Sequence, residues 1–258
     1  MTKTTNPAPL SGLDGRSAVV TGATRGVGLA VARKLCLSGT DVLLNYAHDD
    51  TAAREAARAL DGLPGNAVLA KGDVADTAAL QKVLDQAEER FGGLDIFVHN
   101  TAFFRPSAAL DVTPVSVERA LSVALRPMLS AAPRLAKLMA GRSGRIIALS
   151  SIGARRVVPR YVGAGMAKAA LEALVRYLAV ELAGSGTTVN AISTAKIDKG
   201  DGAVPPEVLK AFALRTPAGR LTTPDDVAGV VALLCTPEAA WIQGQTITAD
   251  GGFELPAA

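Results

Sequence analysis

The sequence predicts an α/β fold: one doubly wound domain with a seven-stranded, mostly parallel sheet and helices on both faces. Two observations carry this expectation. Short, near-continuous apolar runs recur at residues 16–21, 42–46, 67–70, 94–99, 145–149, 188–192 and 246–249, the pattern of parallel strands covered on both sides. Longer segments with apolar residues at helical spacing lie between them, at 27–37, 51–60, 77–91, 115–139 and 166–182. Strand and helix alternating along the whole chain is the signature of a doubly wound sheet.

The strand and helix segments fill most of 258 residues, of which 49% are hydrophobic and 20% charged. That is the profile of one compact domain with a large core. Residues 1–12 read as a frayed tail before a domain at 13–258. Residues 193–217, with Gly200, Gly202, Pro205 and Pro206, read as an irregular stretch overhanging the carboxyl ends of the strands, a substrate lid. The formal net charge of +3 is spread without a basic block, which argues against nucleic acid as a partner. No apolar run approaches membrane-spanning length and the start lacks a signal-peptide core, so a soluble cytoplasmic protein is expected. Cys36 and Cys235 fall in apolar helical patterns and read as packed thiols, with no metal site implied.

The first strand ends in Thr21-Gly22-Ala23-Thr24-Arg25-Gly26-Val27-Gly28 and runs straight into a helical segment. Glycines at a strand-to-helix turn let backbone amides approach a pyrophosphate, and the helix N-terminus favours its negative charge. This T-G-x-x-x-G-x-G pattern resembles the short-chain dehydrogenase/reductase family, and the resemblance covers residues 14–253. It extends through Asp73-Val74, Pro217-Ala218-Gly219-Arg220 and Asp250-Gly251-Gly252. It implies a Rossmann-type fold and a cofactor site built from Gly22, Thr24, Arg25, Gly26, Val27 and Gly28, with Asp73, Val74, Asn100, Lys168 and Ile197. Asp73 has an alternative as a cap near the next helix. An acidic residue closing the second strand would grip the ribose hydroxyls of NAD. Here that end reads Asn45-Tyr46-Ala47-His48, and Arg25 can pair with a 2′-phosphate, so NADPH is expected. The alternative is a merely solvated Arg25.

Tyr161 and Lys168 are seven residues apart, two helical turns or about 10.5 Å along an axis. A tyrosine hydroxyl can deliver a proton, and a nearby ammonium can lower its pKa and hold a cofactor sugar. In the ordinary family pattern the tyrosine lies thirteen after a serine and four before the lysine. Counted from Ser151, that position is Ala164. The Y-x6-K form resembles the enoyl-acyl-carrier-protein reductases of the family. It implies Tyr161, Lys168 and Ser151 as catalytic residues acting on an α,β-unsaturated acyl thioester, an enoyl-CoA or an enoyl-carrier protein. In that reaction negative charge develops on the thioester oxygen, further from the nicotinamide than a ketone oxygen would be, and a displaced donor suits it. Tyr161 as a half-buried aromatic and Ser151 as a strand-end cap remain open.

Several departures stand out. His99-Asn100-Thr101-Ala102 replaces Asn-Asn-Ala-Gly, Ala124 stands for a helical asparagine, Ser193-Thr194 for Pro-Gly, and Lys199 for a cofactor-facing threonine. They suggest a specialised biosynthetic relative. A strand-end His99 reads more readily as a structural hydrogen-bonder than as a catalyst. Arg105, Arg155, Arg156 and Arg160 form either a phosphate-capturing rim or a solvated surface. From resemblance, helices near 115–139 and 166–182 pack against partner subunits in a homotetramer or dimer. A carbonyl reductase and a non-catalytic NADP-binding regulator are the alternatives.

Overall fold

The computed structural model describes residues 8–255 apart from 201, 203 and 204. Seven strands form one sheet in the order β3-β2-β1-β4-β5-β6-β7. These are β1 (Ser17–Val20), β2 (Asp41–Tyr46), β3 (Ala67–Lys71), β4 (Ile96–His99), β5 (Arg145–Leu149), β6 (Thr188–Ser193) and β7 (Thr246–Thr248). Every pairing is parallel, so the sheet is wholly and not just mostly parallel. The order reverses between β1 and β4, which opens a crevice at their carboxyl ends.

The helices are α1 (Gly26–Leu37), α2 (Asp50–Arg58), α3 (Thr77–Phe91), α4 (Pro114–Leu138), α5 (Val162–Leu182), α6 (Pro206–Arg215) and α7 (Pro224–Cys235). Side chains of α1 and α7 pack with Val20, Leu44, Val98 and Ile192 on one face of the sheet. Those of α3, α4 and α5 pack with Val19, Phe97, Ile146 and Val189 on the other. Strand alternation divides the apolar residues between two cores, which is why the strand runs lack polar interruptions. Cys36 and Cys235 are free and buried, and burial pushes both thiols up to about 12.

Two segments differ from the sequence expectation. Helix α5 begins at Val162, a full turn before 166. Gly163 and Gly165 stand in this added turn; a Cβ on Gly165 would stand 2.7 Å from the Gly153 carbonyl oxygen, so glycine there permits close approach. The stretch 193–217 is not irregular throughout, because α6 lies inside it with Pro205 as its N-cap and Pro206 opening it. Prolines that read as loop signals fit there because the first turn of a helix has no use for their missing N–H. Of the expected tail, residues 1–7 lie outside the described residues. Leu10 packs against the α1–α7 core and donates its N–H to the Ser38 hydroxyl (3.0 Å).

Candidate active site at the carboxyl edge of the sheet

The glycine loop sits at the β1–β4 crevice. Gly22 and Gly26 take φ of +62° and +54°, left-handed values that favour glycine. Gly28 serves packing: a Cβ there would meet the Gly22 carbonyl oxygen at 2.2 Å. Asn100 holds the loop from behind, its side-chain amide donating to the carbonyls of Thr21 (3.0 Å) and Gly22 (3.1 Å). Arg25 is the exposed N-cap residue of α1, whose first turn carries no acidic side chain. Free amides and a helix N-terminus therefore face the crevice with no anion from the helix itself.

The remaining residues expected at the cofactor are spread along the same edge. Val74 is buried beyond β3, and Asp73 accepts from the Ala75 N–H (2.9 Å) in a local turn, whereas the cap of α3 is Asp76. Ile197 lies beyond β6, pairs with Thr222 and packs on the α1–α7 core. At the end of β2 the carboxylates of Asp49 and Asp50 both have local partners. Asn45 donates to the carbonyls of Ala70 and Gly72, Asp49 caps α2, and Asp50 is engaged by Tyr46 and Lys71.

Tyr161 and Lys168 line one cleft, together with Phe103, Phe104, Ala124 and Ala164. Tyr161 is the residue immediately before α5, not an interior helical residue, so the two-turn offset begins at the helix end. Its ring packs against Phe104, centroids 5.2 Å apart, and against the Cα of Gly153. Arg160 before it has φ +61°, a strained value for arginine that marks a tightly determined backbone. The Arg160 carbonyl accepts from the Ser107 N–H (3.0 Å). Lys168 is buried and donates to the Leu149 carbonyl (2.5 Å), and burial lowers its pKa to about 8. Ser151 stands at the same strand end, where its hydroxyl accepts from the Gly153 N–H (3.3 Å), the capping geometry left open above.

His99 is wholly buried and its Nε2 donates to the Ala124 carbonyl (3.0 Å). Burial, with the nearby Lys168 charge as the second cause, lowers its pKa to about 3, so the ring stays neutral and ties β4 to α4. Of the four arginines, Arg155 pairs with Glu172 (2.9 Å) and Arg156 with Glu254 (3.2 Å). Sequence reasoning assigned nothing to Glu172, which also accepts from the Ser150 hydroxyl (2.7 Å). Its place four residues after Lys168, on the same helical face, was the available signal. Among the described residues no group of three or more His, Cys, Asp or Glu could hold a metal ion, and no helix is long and apolar enough to cross a membrane.

A parallel sheet with a glycine loop at its switch point, facing a cleft with a tyrosine and a buried lysine, defines a dinucleotide-dependent oxidoreductase. The comparisons narrow this. The family model described as Enoyl-(Acyl carrier protein) reductase matches residues 22–254. The chain is similar to the 1-cyclohexenylcarbonyl-CoA reductase of Streptomyces collinus, with 34% identity over 93% of this chain and 87% of that protein. It is also similar to the L-rhamnose 1-dehydrogenase (NAD(P)(+)) of a Sphingomonas species, at 33% over 93% and 97%. A Burkholderia cenocepacia short-chain dehydrogenase in complex with NADP superposes with a TM-score of 0.85, 33% identity and coverage of 93% of this chain and 98% of that one. The chain belongs to the short-chain dehydrogenase/reductase family. The residues present fit the family's nicotinamide dinucleotide: open amides, uncompensated positive potential, and buried hydroxyls at Thr101 and Thr194 without partners among the described residues.

Proposed function

We propose that this protein is an NADPH-dependent reductase of an α,β-unsaturated acyl thioester, an enoyl-CoA or an enoyl-carrier protein. One observation carries the reading. Tyr161 shares a cleft with Lys168, while Ala164 occupies the site one turn from the lysine. When bound, the reduced nicotinamide supplies a hydride. The Tyr161 hydroxyl hydrogen-bonds the thioester oxygen where negative charge develops. Lys168 adds positive potential and holds the nicotinamide ribose, and Ser151 serves as a third polar group at the strand end. Phe103, Phe104, Ala124 and Ala164 make an apolar wall suited to an acyl chain or ring. Engagement of Asp49 and Asp50 by their own neighbours leaves Arg25 to favour a 2′-phosphate, which supports NADPH over NADH. The segment 193–217 acts as the lid.

Exposed apolar side chains on α4 and α5, among them Leu129, Tyr177 and Val180, support a homo-oligomer assembled through these helices, which we place in the cytoplasm. A second reading, a reductase of ketones or a dehydrogenase of alcohols, is favoured by the similarity to a sugar dehydrogenase. NADPH consumption with a short enoyl-CoA and a β-ketoacyl-CoA offered side by side separates the two. Enoyl turnover that falls at least a hundredfold in Tyr161→Phe, with NADPH binding intact, is the expected result. Turnover of the keto substrate alone would overturn it.

A further inference from the structure

Six buried side-chain nitrogen and oxygen atoms find no hydrogen-bond partner among the described residues, and three of them belong to residues at or just beyond the carboxyl ends of β4 and β6: His99 Nδ1, Thr101 Oγ1 and Thr194 Oγ1. An unpaired buried hydroxyl weakens a fold, because it gives up water and gains nothing. Valine has nearly the same shape and carries no such cost. Both threonines are also departures from the family pattern, standing where the resemblance puts an alanine and a glycine. They are therefore additions of this chain that its own fold leaves unused.

Their positions say what would use them. Thr101 Oγ1 lies 3.3 Å from the point where a Cβ on Gly22 would stand, against the glycine loop. Its backbone is fixed, since the N–H groups of Asn100 and Thr101 both donate to the Thr21 hydroxyl (2.9 and 3.2 Å). Thr194 directly follows β6 and is only 7% exposed. Its carbonyl accepts from the Ile152 N–H (3.1 Å), which holds it level with Ser151. From Thr194 the chain arches back over the glycine loop, where the Lys199 side chain comes within 4.0 Å of the Cβ position of Gly26. Thr101 and Thr194 therefore belong to the two segments that flank the crevice, one beside the glycine loop and one at the end of β6.

We infer that Thr101 and Thr194 are two further cofactor-binding residues. The Thr101 hydroxyl bonds the diphosphate–ribose part of the dinucleotide beside the glycine loop, and the Thr194 hydroxyl bonds the nicotinamide carboxamide. A hydroxyl both donates and accepts, which matches a carboxamide that presents an N–H and a carbonyl. The inference rests on the dinucleotide assignment alone and is independent of which substrate is reduced.

The test needs no substrate. Thr101→Val, Thr194→Val and the two serine variants are compared with the unaltered chain in thermal unfolding without ligand. Dissociation constants are then measured for NADPH or NADH, whichever binds the unaltered chain more tightly, and for the matching ADP-ribose fragment that lacks nicotinamide. Both valine variants should unfold at the parent temperature or above it. Thr101→Val should weaken both ligands roughly five- to tenfold, the loss of one hydrogen bond. Thr194→Val should weaken the whole dinucleotide by a similar factor and leave the fragment unchanged, and the serine variants should bind like the parent. Unchanged dinucleotide binding in the valine variants overturns the inference, as does a valine variant that loses several degrees or fails to fold, since its hydroxyl then has a structural partner. Equal weakening of the fragment by Thr194→Val overturns the nicotinamide assignment. If the unaltered chain binds neither dinucleotide, the cofactor reading itself falls.

Discussion

Gly153 lies against the Cδ1–Cε1 edge of the Tyr161 ring, so close that a Cβ on Gly153 would stand 2.5 Å from the tyrosine Cδ1. Two contacts and a neighbouring ion pair fix Gly153 there. The Ser151 hydroxyl caps its N–H, Arg155 two residues on is tied to Glu172, and its carbonyl nests against Gly165 at the start of α5. The proposed proton donor thus rests on the Gly153 backbone as well as on the Phe104 ring. Gly153→Ala forces the ring or the turn to move. Since a displacement of about 1 Å can cost about a hundredfold in rate, kcat should fall by one to two orders of magnitude. Dinucleotide affinity, set at the glycine loop, should stay within about twofold. Steady-state kinetics together with a binding titration check the split; an unchanged kcat would mean the ring is not held in a reactive pose.

Lys168 gives the molecule a pH signature. Burial lowers its pKa from 10.5 to about 8, so the ammonium is disfavoured in the folded state. Below pH 8 the lysine is charged in both folded and unfolded chains, and the full burial cost applies. Between pH 8 and 10.5 the folded protein releases the proton while the unfolded chain keeps it, so stability attributable to this group rises with pH, by about 3 kcal/mol across the window. Lys168→Met removes this component. Denaturant unfolding from pH 7 to 10 should show the unaltered protein gaining on the variant as pH rises. Activity should move the opposite way, with an alkaline limb near pH 8 as the ammonium is lost.

Much of this was legible in the sequence because it rests on local patterning. Uninterrupted apolar strands and the Thr21–Gly28 loop mark the sheet and its crevice, and Tyr161, Ala164 and Lys168, singled out by their spacing, line one cleft. What stayed hidden depends on contacts distant in sequence. The first turn of α5 carries Gly163 and Gly165 in place of apolar spacing, and Gly165 is there for the close approach of Gly153, a contact no spacing shows. The prolines at 205 and 206 look like loop residues because the sequence does not show that a helix starts with them. The buried Glu172 link to Ser150 and Arg155, and the bond from His99 to the Ala124 carbonyl, join elements more than fifteen residues apart. No periodicity encodes them.

Arg25 offers a direct test of cofactor choice. It is exposed at the N-cap of α1 and joins no ion pair among the described residues, while the acids nearest the end of β2 are engaged. If it pairs with a 2′-phosphate, Arg25→Ala should lower kcat/KM for NADPH about tenfold, the scale of a charge-assisted pair, and leave NADH nearly unaffected. Equal losses with both would make Arg25 a general phosphate contact and leave the preference unexplained.

The strongest test of the displaced donor is to move it back. Ala164 is 8% exposed, lines the same cleft as Tyr161 and stands four residues before Lys168 on α5. A tyrosine there would bring its hydroxyl one turn from the ammonium, the spacing suited to a ketone oxygen next to the carbon that receives hydride. In the double variant Tyr161→Phe with Ala164→Tyr, the phenylalanine keeps the ring that packs on Phe104 while removing the original hydroxyl. Enoyl-thioester reduction should fall at least a hundredfold, and reduction of a β-ketoacyl thioester should appear or rise. A larger ring at a buried alanine also crowds the cleft, so the matched variant with Ala164→Phe is needed. It should lose enoyl reduction without gaining ketone reduction, because only the tyrosine supplies a proton. If both double variants behave alike, steric change explains the result, and the position of the hydroxyl does not select the reaction.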